Sequence, residues 1–217
     1  MKVVFLGPPG SGKSTVAEKI SSLFSLYDLY MGDLLRSEIQ KDTIVGREVA
    51  KYLKKGELVP GNFVSDLVYL LLLGKEKFLL DGYPRTQQQA EYIHDQGIAI
   101  NCVLYLKVSE EEVVKRLSNR RFCPRCRAQY HLNFFPPKQK GVCDACQEKL
   151  VRRDDDAPEI VKNRFRVYHK ETAPLVDFYS RNDVLYTIDA SKSPKEVLEQ
   201  VVLTLGKLFS KKESAFS

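Results

Sequence analysis

No run of about 18 apolar residues occurs anywhere in the chain, which leaves no candidate for a membrane-spanning helix. The opening residues Met1-Lys2-Val3-Val4-Phe5-Leu6 lead straight into a strand-like apolar run and lack the charged, apolar and small-residue regions of a secretory leader. A cytoplasmic location is therefore expected. There is no internal repeat, and no low-complexity tract beyond the short polar stretch Lys211–Ser217, which is expected to be a mobile tail. What remains, at 217 residues, suits one compact domain carrying inserted subdomains, long enough to bury a substantial core without a partner.

The net charge of +6 has two readings. Nucleic acid is one, but the basic residues are not interleaved with aromatics on a recognisable face. A chain that gathers several phosphates is the other, and part of the charge, as at Lys211-Lys212, is simply solvated. Charge alone does not choose between them.

The informative segment is Gly7-Pro8-Pro9-Gly10-Ser11-Gly12-Lys13-Ser14, which follows Val3-Val4-Phe5-Leu6 and matches the phosphate-loop pattern of Gly, four residues, Gly-Lys-Ser/Thr. Its glycines let backbone N–H groups point at phosphate oxygens, and the helix expected from Lys13 adds the positive end of its dipole. Lys13 brings a mobile charge to the transferred phosphate, while the Ser14 or Thr15 hydroxyl suits magnesium or one of its waters. A nucleoside triphosphate is the expected ligand.

Apolar runs recur at Val3–Leu6, Phe78–Leu80, Cys102–Leu106 and Val184–Ile188, with a weaker one at Tyr27–Tyr30. Helix-length amphipathic segments such as Glu110–Leu117 and Lys195–Phe209 separate them. This alternation predicts an α/β fold with a parallel sheet wrapped by helices. Two regions interrupt it. Residues 30–59 read as helical but are broken by Gly46 and Gly56, and residues 119–156 are rich in Cys, Pro, Arg and Asp.

Four of the five cysteines form the pairs Cys123-Pro124-Arg125-Cys126 and Cys143-Asp144-Ala145-Cys146, 16 residues apart. That spacing predicts a closed tetrahedral zinc site, structural because no position is left for water. A redox or disulfide role is the alternative, disfavoured in a reducing compartment. His131 is read as a residue that packs or hydrogen-bonds within the loop, and Cys102 as core.

Asp81-Gly82-Tyr83-Pro84-Arg85 follows the run at Phe78–Leu80, placing a carboxylate and an arginine at the carboxyl edge of a parallel sheet, where ligands bind. Further arginines lie near expected loop edges at Arg36, Arg120, Arg121, Arg152, Arg153 and Arg164. Taken with the phosphate loop, Gly32-Asp33, Gln89, the four cysteines and Asp155-Asp156, these motifs show that the chain resembles the adenylate kinase family of nucleoside monophosphate kinases, in its long-lid, zinc-binding form. The resemblance runs from Met1 to about Phe209.

The resemblance implies a phosphate-loop three-layer fold with a five-stranded parallel sheet, a monophosphate-binding insertion at 30–59 and a zinc lid at 119–156, with core segments at 1–29, 60–118 and 157–217. It implies reversible phosphoryl transfer from MgATP to AMP by a monomer. Gly10, Ser11, Gly12, Lys13, Ser14 and Thr15 would hold the ATP phosphates, and Arg116, Gln129, Tyr130 and Lys192 its base. Lys13, Arg85, Arg120, Arg153 and Arg164 would serve catalysis, with Arg153 and Arg164 also reaching AMP. Met31, Arg36, Glu57, Leu58, Val59, Gly82, Tyr83, Pro84, Arg85 and Gln89 would form the AMP site, Gln89 reading the base through one donor and one acceptor. Met31 stands where this family usually has threonine, which bears on selectivity for the acceptor base; GMP, CMP or UMP are the alternatives.

Overall fold

A computed structural model describes residues 1–60 and 63–213, with side chains described as far as Phe209. In chain order the elements are β1 (Lys2–Leu6), α1 (Lys13–Phe24), β2 (Tyr27–Tyr30), α2 (Met31–Gln40), α3 (Ile44–Leu53), α4 (Phe63–Leu72), β3 (Phe78–Asp81) and α5 (Gln87–Asp95). They continue with β4 (Cys102–Lys107), α6 (Glu110–Asn119), β5 (Arg120–Phe122), β6 (Gln129–His131), α7 (Pro158–Val167), α8 (Pro174–Arg181), β7 (Leu185–Asp189) and α9 (Pro194–Glu213). Five strands form one parallel sheet in the order β2-β3-β1-β4-β7. The weak run at Tyr27–Tyr30 is its edge strand, paired to β3.

The central strands read as unbroken apolar runs because both faces of the sheet are covered. Alternate residues serve opposite layers, as the pleat requires. Val3, Phe5, Leu79, Cys102, Leu104 and Leu106 pack with Val16, Ala17 and Ile20 of α1 and with Val197, Val201 and Leu205 of α9. Val4, Leu6, Phe78, Leu80 and Val103 pack instead with Val64, Val68 and Leu72 of α4, Ala90 and Ile93 of α5, and Leu175 and Tyr179 of α8. The four-residue spacing along α4 and α9 gives each helix one apolar stripe, and each buried large side chain contributes about 1.5–3 kcal/mol. Thr43, Thr86 and Ser109 cap α3, α5 and α6 by accepting an amide of the first turn, each worth about 1 kcal/mol.

The observed boundaries depart slightly from the sequence reading. β7 runs over Leu185–Asp189, one residue beyond the expected Val184–Ile188, and α9 continues to Glu213, so the polar tail begins as helix. Residues 214–217 of that tail lie outside the described residues.

Two pieces leave the sheet. Between β2 and α4, helices α2 and α3 pack on each other, and Gly46 marks their closest approach: a β-carbon there would stand 2.0 Å from the Glu38 carbonyl oxygen. Between α6 and α7, β5 and β6 pair antiparallel, with a further bridge from Phe122 to Val151. This second piece has its own small core of Cys123, Cys143 and Leu150, with Ala128, Tyr130 and Cys146 against it. Because the backbone, not a flexible side chain, blocks the space at Gly46, Gly46→Ala is expected to cost about 1–3 kcal/mol, read as a lower urea midpoint for unfolding.

Candidate active site

β1 ends at Leu6 and the chain wraps through Gly7–Gly12 into α1. Gly12 caps that helix with φ 93, offers no side-chain acceptor, and has open space where a β-carbon would stand. The first amides of α1 are thus left to an external anion, at the helix end whose dipole favours one. Lys13 Nζ lies inside the loop, donating to Gly7 O and Pro8 O at 2.8 Å and to Ser11 Oγ at 3.2 Å. Burial lowers its pKa from 10.5 to about 8; Asp81 opposes this, while Arg85, Arg164 and Arg120 add to it. Ser14 Oγ donates to Asp81 Oδ2 at the end of β3, so a hydroxyl and a carboxylate meet beside the loop. Hard oxygen donors of this kind suit magnesium.

The loop opens on a cleft of about 1340 Å³. It is lined by Gly10–Thr15, Arg116, Gln129, Tyr130 and Lys192, and also by Met31, Arg36, Glu57–Val59, Gly82, Pro84, Arg85 and Gln89. Arg120, Arg153 and Arg164 line the same cleft. Arg116 is held by Glu112 at 2.9 Å and by the carbonyls of Ser191 and Lys192, each at 3.3 Å.

Two aspartates organise the arginines. Asp156, fully buried, accepts from Nε of Arg120 at 2.8 Å and from its Nη2, and lies 3.6 Å from Arg164. Asp155 reaches Arg164 at 3.3 Å and Arg36 at 3.9 Å. Burial pushes the Asp155 carboxyl up, but Arg164, Arg120, Arg36 and Arg153 outweigh it and hold the group below its ordinary range. Burial likewise lowers Arg153 and Arg164 to about 10. Arg153 stacks its guanidinium 5.0 Å from the Phe122 ring, and its Nε and Nη2 are shielded from solvent with no hydrogen-bond partner among the described residues.

Some expected site residues do not behave as expected. Tyr83 does not line the cleft: its ring is buried and its hydroxyl donates to Ser65 Oγ at 3.1 Å and to Gln89 O at 3.0 Å. Gln89 lines the cleft, and its amide oxygen accepts the Arg85 N–H at 2.7 Å, which leaves the amide nitrogen and the oxygen's second lone pair for a base. The Arg121 guanidinium binds the carbonyls of Ser118 and Arg120, and Arg152 binds the Asp156 carbonyl; neither lines the cleft. Met31 does line it and is otherwise buried.

Sequence reasoning missed Arg127, Phe134, Phe135, Tyr168 and Thr172, all of which line the cleft. Arg127 donates to Gln40 of α2 at 2.5 Å, and Lys19 of α1 lies 5.5 Å from the centre of the Phe135 ring. These contacts cross long stretches of sequence and left no local signal. His131 accepts at Nδ1 from Asn133 N and Phe134 N, at 3.2 and 3.3 Å, as the loop-ordering reading expects, and also lines the cleft.

The four cysteines converge, all sulfurs lying within 4.8 Å of one another. Both pairs fold the same way. The carbonyls of Cys123 and Cys143 accept from Arg127 N and Gln147 N, and these two residues are left-handed, with φ 65 and 60. A tetrahedral ion with metal–sulfur bonds of about 2.3 Å spaces its sulfurs about 3.8 Å apart, so the cluster fits such an ion. All four are free thiols in this structure.

The lowered pKa of Lys13 has a signed consequence. Below about pH 8 folded and unfolded chains both hold the proton, and folding bears the full cost of burying the charge. Between about 8 and 10.5 the folded chain releases it first, so stability rises with pH; above 10.5 both states are neutral and the cost is gone. Lys13→Met lacks this dependence, so wild type is expected to gain on the variant in urea unfolding as pH rises from about 8 to about 10.

The family model described as adenylate kinase matches residues 5–184. The adenylate kinase of Pyrococcus furiosus is 42% identical over 206 residues, covering 93% of this chain and 94% of that protein. That of Thermococcus onnurineus is 41% identical over 206 residues, covering 93% and 92%, and that of Lachnospira eligens 40% over 213 residues, covering 95% and 100%. The chain belongs to the adenylate kinase family and is a nucleoside monophosphate kinase.

Proposed function

We propose that the chain transfers the terminal phosphoryl of MgATP reversibly to AMP, giving two ADP, and so balances adenine nucleotides. We place it in the cytoplasm as a monomer, with neither nucleic acid nor membrane as partner. One observation carries the reading: half-buried arginines gather in the cleft that the phosphate loop and the Arg85 turn also line, and two shielded donors of Arg153 have no partner within the described residues. An anion moving between two nucleotides is what such an arrangement suits.

In this reading the amides of Gly10–Thr15 and Lys13 Nζ hold the ATP phosphates, and Arg116, Gln129, Tyr130 and Lys192 surround its base. Arg36 and Arg85 hold the acceptor phosphate. Met31, Glu57–Val59, Gly82, Pro84 and the Gln89 amide surround the acceptor base. Lys13, Arg120, Arg153 and Arg164 stabilise charge on the moving group, which needs alignment and positive charge but no strong general base. Ser14 and Asp81 would hold the magnesium that accompanies ATP, whose chemistry is to neutralise phosphate charge.

Transfer to water must be prevented, and the segments 30–59 and 119–156 are the pieces that close over the substrates. Arg127 with Gln40, and Arg36 with Asp155, already join the two. Zinc is the ion assigned to the cysteines, and since the surrounding core is so small, it contributes much of the lid's folding energy.

Two experiments test these readings. Phosphorus NMR of the protein with MgATP and, separately, AMP, GMP, CMP and UMP is expected to show fastest transfer to AMP. Fastest transfer to another acceptor would change the base assignment and keep the chemistry, whereas no transfer would overturn the proposal. Cys126→Ala is expected to lose zinc and melt several degrees lower while the sheet still folds. Unchanged metal content and melting would refute the zinc assignment.

A further inference from the structure

Helix α7 runs directly into five residues of π-helix, Tyr168–Thr172, and Ala173, in right-handed helical conformation, carries the chain on into α8. Such wide turns are rare and concentrate at functional sites. Here the wide turn lies between two packing duties. Val161 and Phe165 of α7 pack with Val113 and Leu117 of α6, whereas Leu175 and Tyr179 of α8 pack in the layer beneath the sheet. It also brings Tyr168 and Thr172 to the cleft wall.

Thr172 is buried, and its Oγ1 donates to the Arg85 carbonyl at 2.8 Å, across 87 positions of sequence. The Arg85 N–H is held from the other side by Gln89 Oε1 at 2.7 Å, and the Arg85 Nε donates to Gly82 O at 2.9 Å. Arg85 belongs to neither β3 nor α5, so two side chains take the place of a backbone ladder in fixing its main chain. The direction in which its guanidinium enters the cleft depends on both.

We propose that Thr172 is a positioning residue of the acceptor-phosphate site, acting through Arg85. The inference rests on the assignment of Arg85 to the acceptor phosphate made above. An arginine fork engages a phosphate through paired hydrogen bonds of defined geometry, and a buried carbonyl left without its donor draws the turn into another arrangement. The loss falls on the acceptor and not on ATP, whose loop at Gly7–Ser14 makes no bond to Thr172.

The test is steady-state transfer from MgATP to the monophosphate that the wild type uses fastest. Thr172→Val, which keeps the shape and removes the hydroxyl, is expected to raise the acceptor KM about tenfold and leave the ATP KM within about twofold. Thr172→Ser is expected to restore the acceptor KM. In an Arg85→Lys background the Thr172→Val effect is expected to shrink to less than about twofold, because the two residues act as one unit.

A parallel rise in both KM values, a lowered melting temperature with the acceptor KM unchanged, or full additivity with Arg85→Lys would each overturn the proposal. Thr172→Ala removes the same donor without setting a methyl group against the carbonyl, and must give the same split should the valine variant fail to fold. If Arg85→Lys alone leaves the acceptor KM unchanged, the assignment of Arg85 fails and this inference with it. If Arg85→Lys raises it and no Thr172 variant does, only the inference fails.

Discussion

The buried carboxylate of Asp156 is what allows several guanidinium groups to share one cleft. Arginines brought together in a low-dielectric space repel one another, and each has surrendered its hydration. Asp156 answers Arg120 through two hydrogen bonds and faces Arg164, while its neighbour Asp155 answers Arg164 and Arg36. Both aspartates belong to the short turn of Asp154–Asp156 that leads from the cysteine-bearing piece into α7. The counter-charges therefore lie at the joint between a peripheral piece and the body of the molecule.

The compensation is deliberately incomplete around Arg153. Its ring partner Phe122 orients the guanidinium without satisfying its donors, so the group is placed but not neutralised. Lys13 is in a related condition, held by carbonyl and hydroxyl oxygens while burial weakens its hold on the proton. Both groups thus carry a desolvation that folding has already imposed, and this is the source of electrostatic preorganisation.

The sheet was legible because a strand buried on both faces needs consecutive apolar residues, as Val3–Leu6 and Cys102–Leu106 have. The phosphate loop was legible because its chemistry lies in one contiguous run, and the cysteine cluster because each knuckle is a local turn. Long-range relations were less legible. The Gln89 amide suits a base edge in composition, yet its oxygen also holds the Arg85 main chain, a second duty with no signal in the sequence. Tyr83 sits inside a functional motif, but its ring is needed by the core. Thr172 carries no motif at all, and becomes significant only because a wide helical turn brings it against a residue 87 positions earlier.

Gly46 sets the mechanical character of the piece formed by α2 and α3. With the α3 backbone seated against the carbonyl of Glu38 at Gly46, no side chain separates the two helices at that point, while Leu35 of α2 and Val49 of α3 lie in one buried cluster. A contact between backbones cannot repack as side chains do, so the two helices are tied to each other there. Met31 and Arg36 ride near one end, and Glu57–Val59 follow the other. Residues from the two ends of this helix pair thus reach the cleft on a single tied piece of structure.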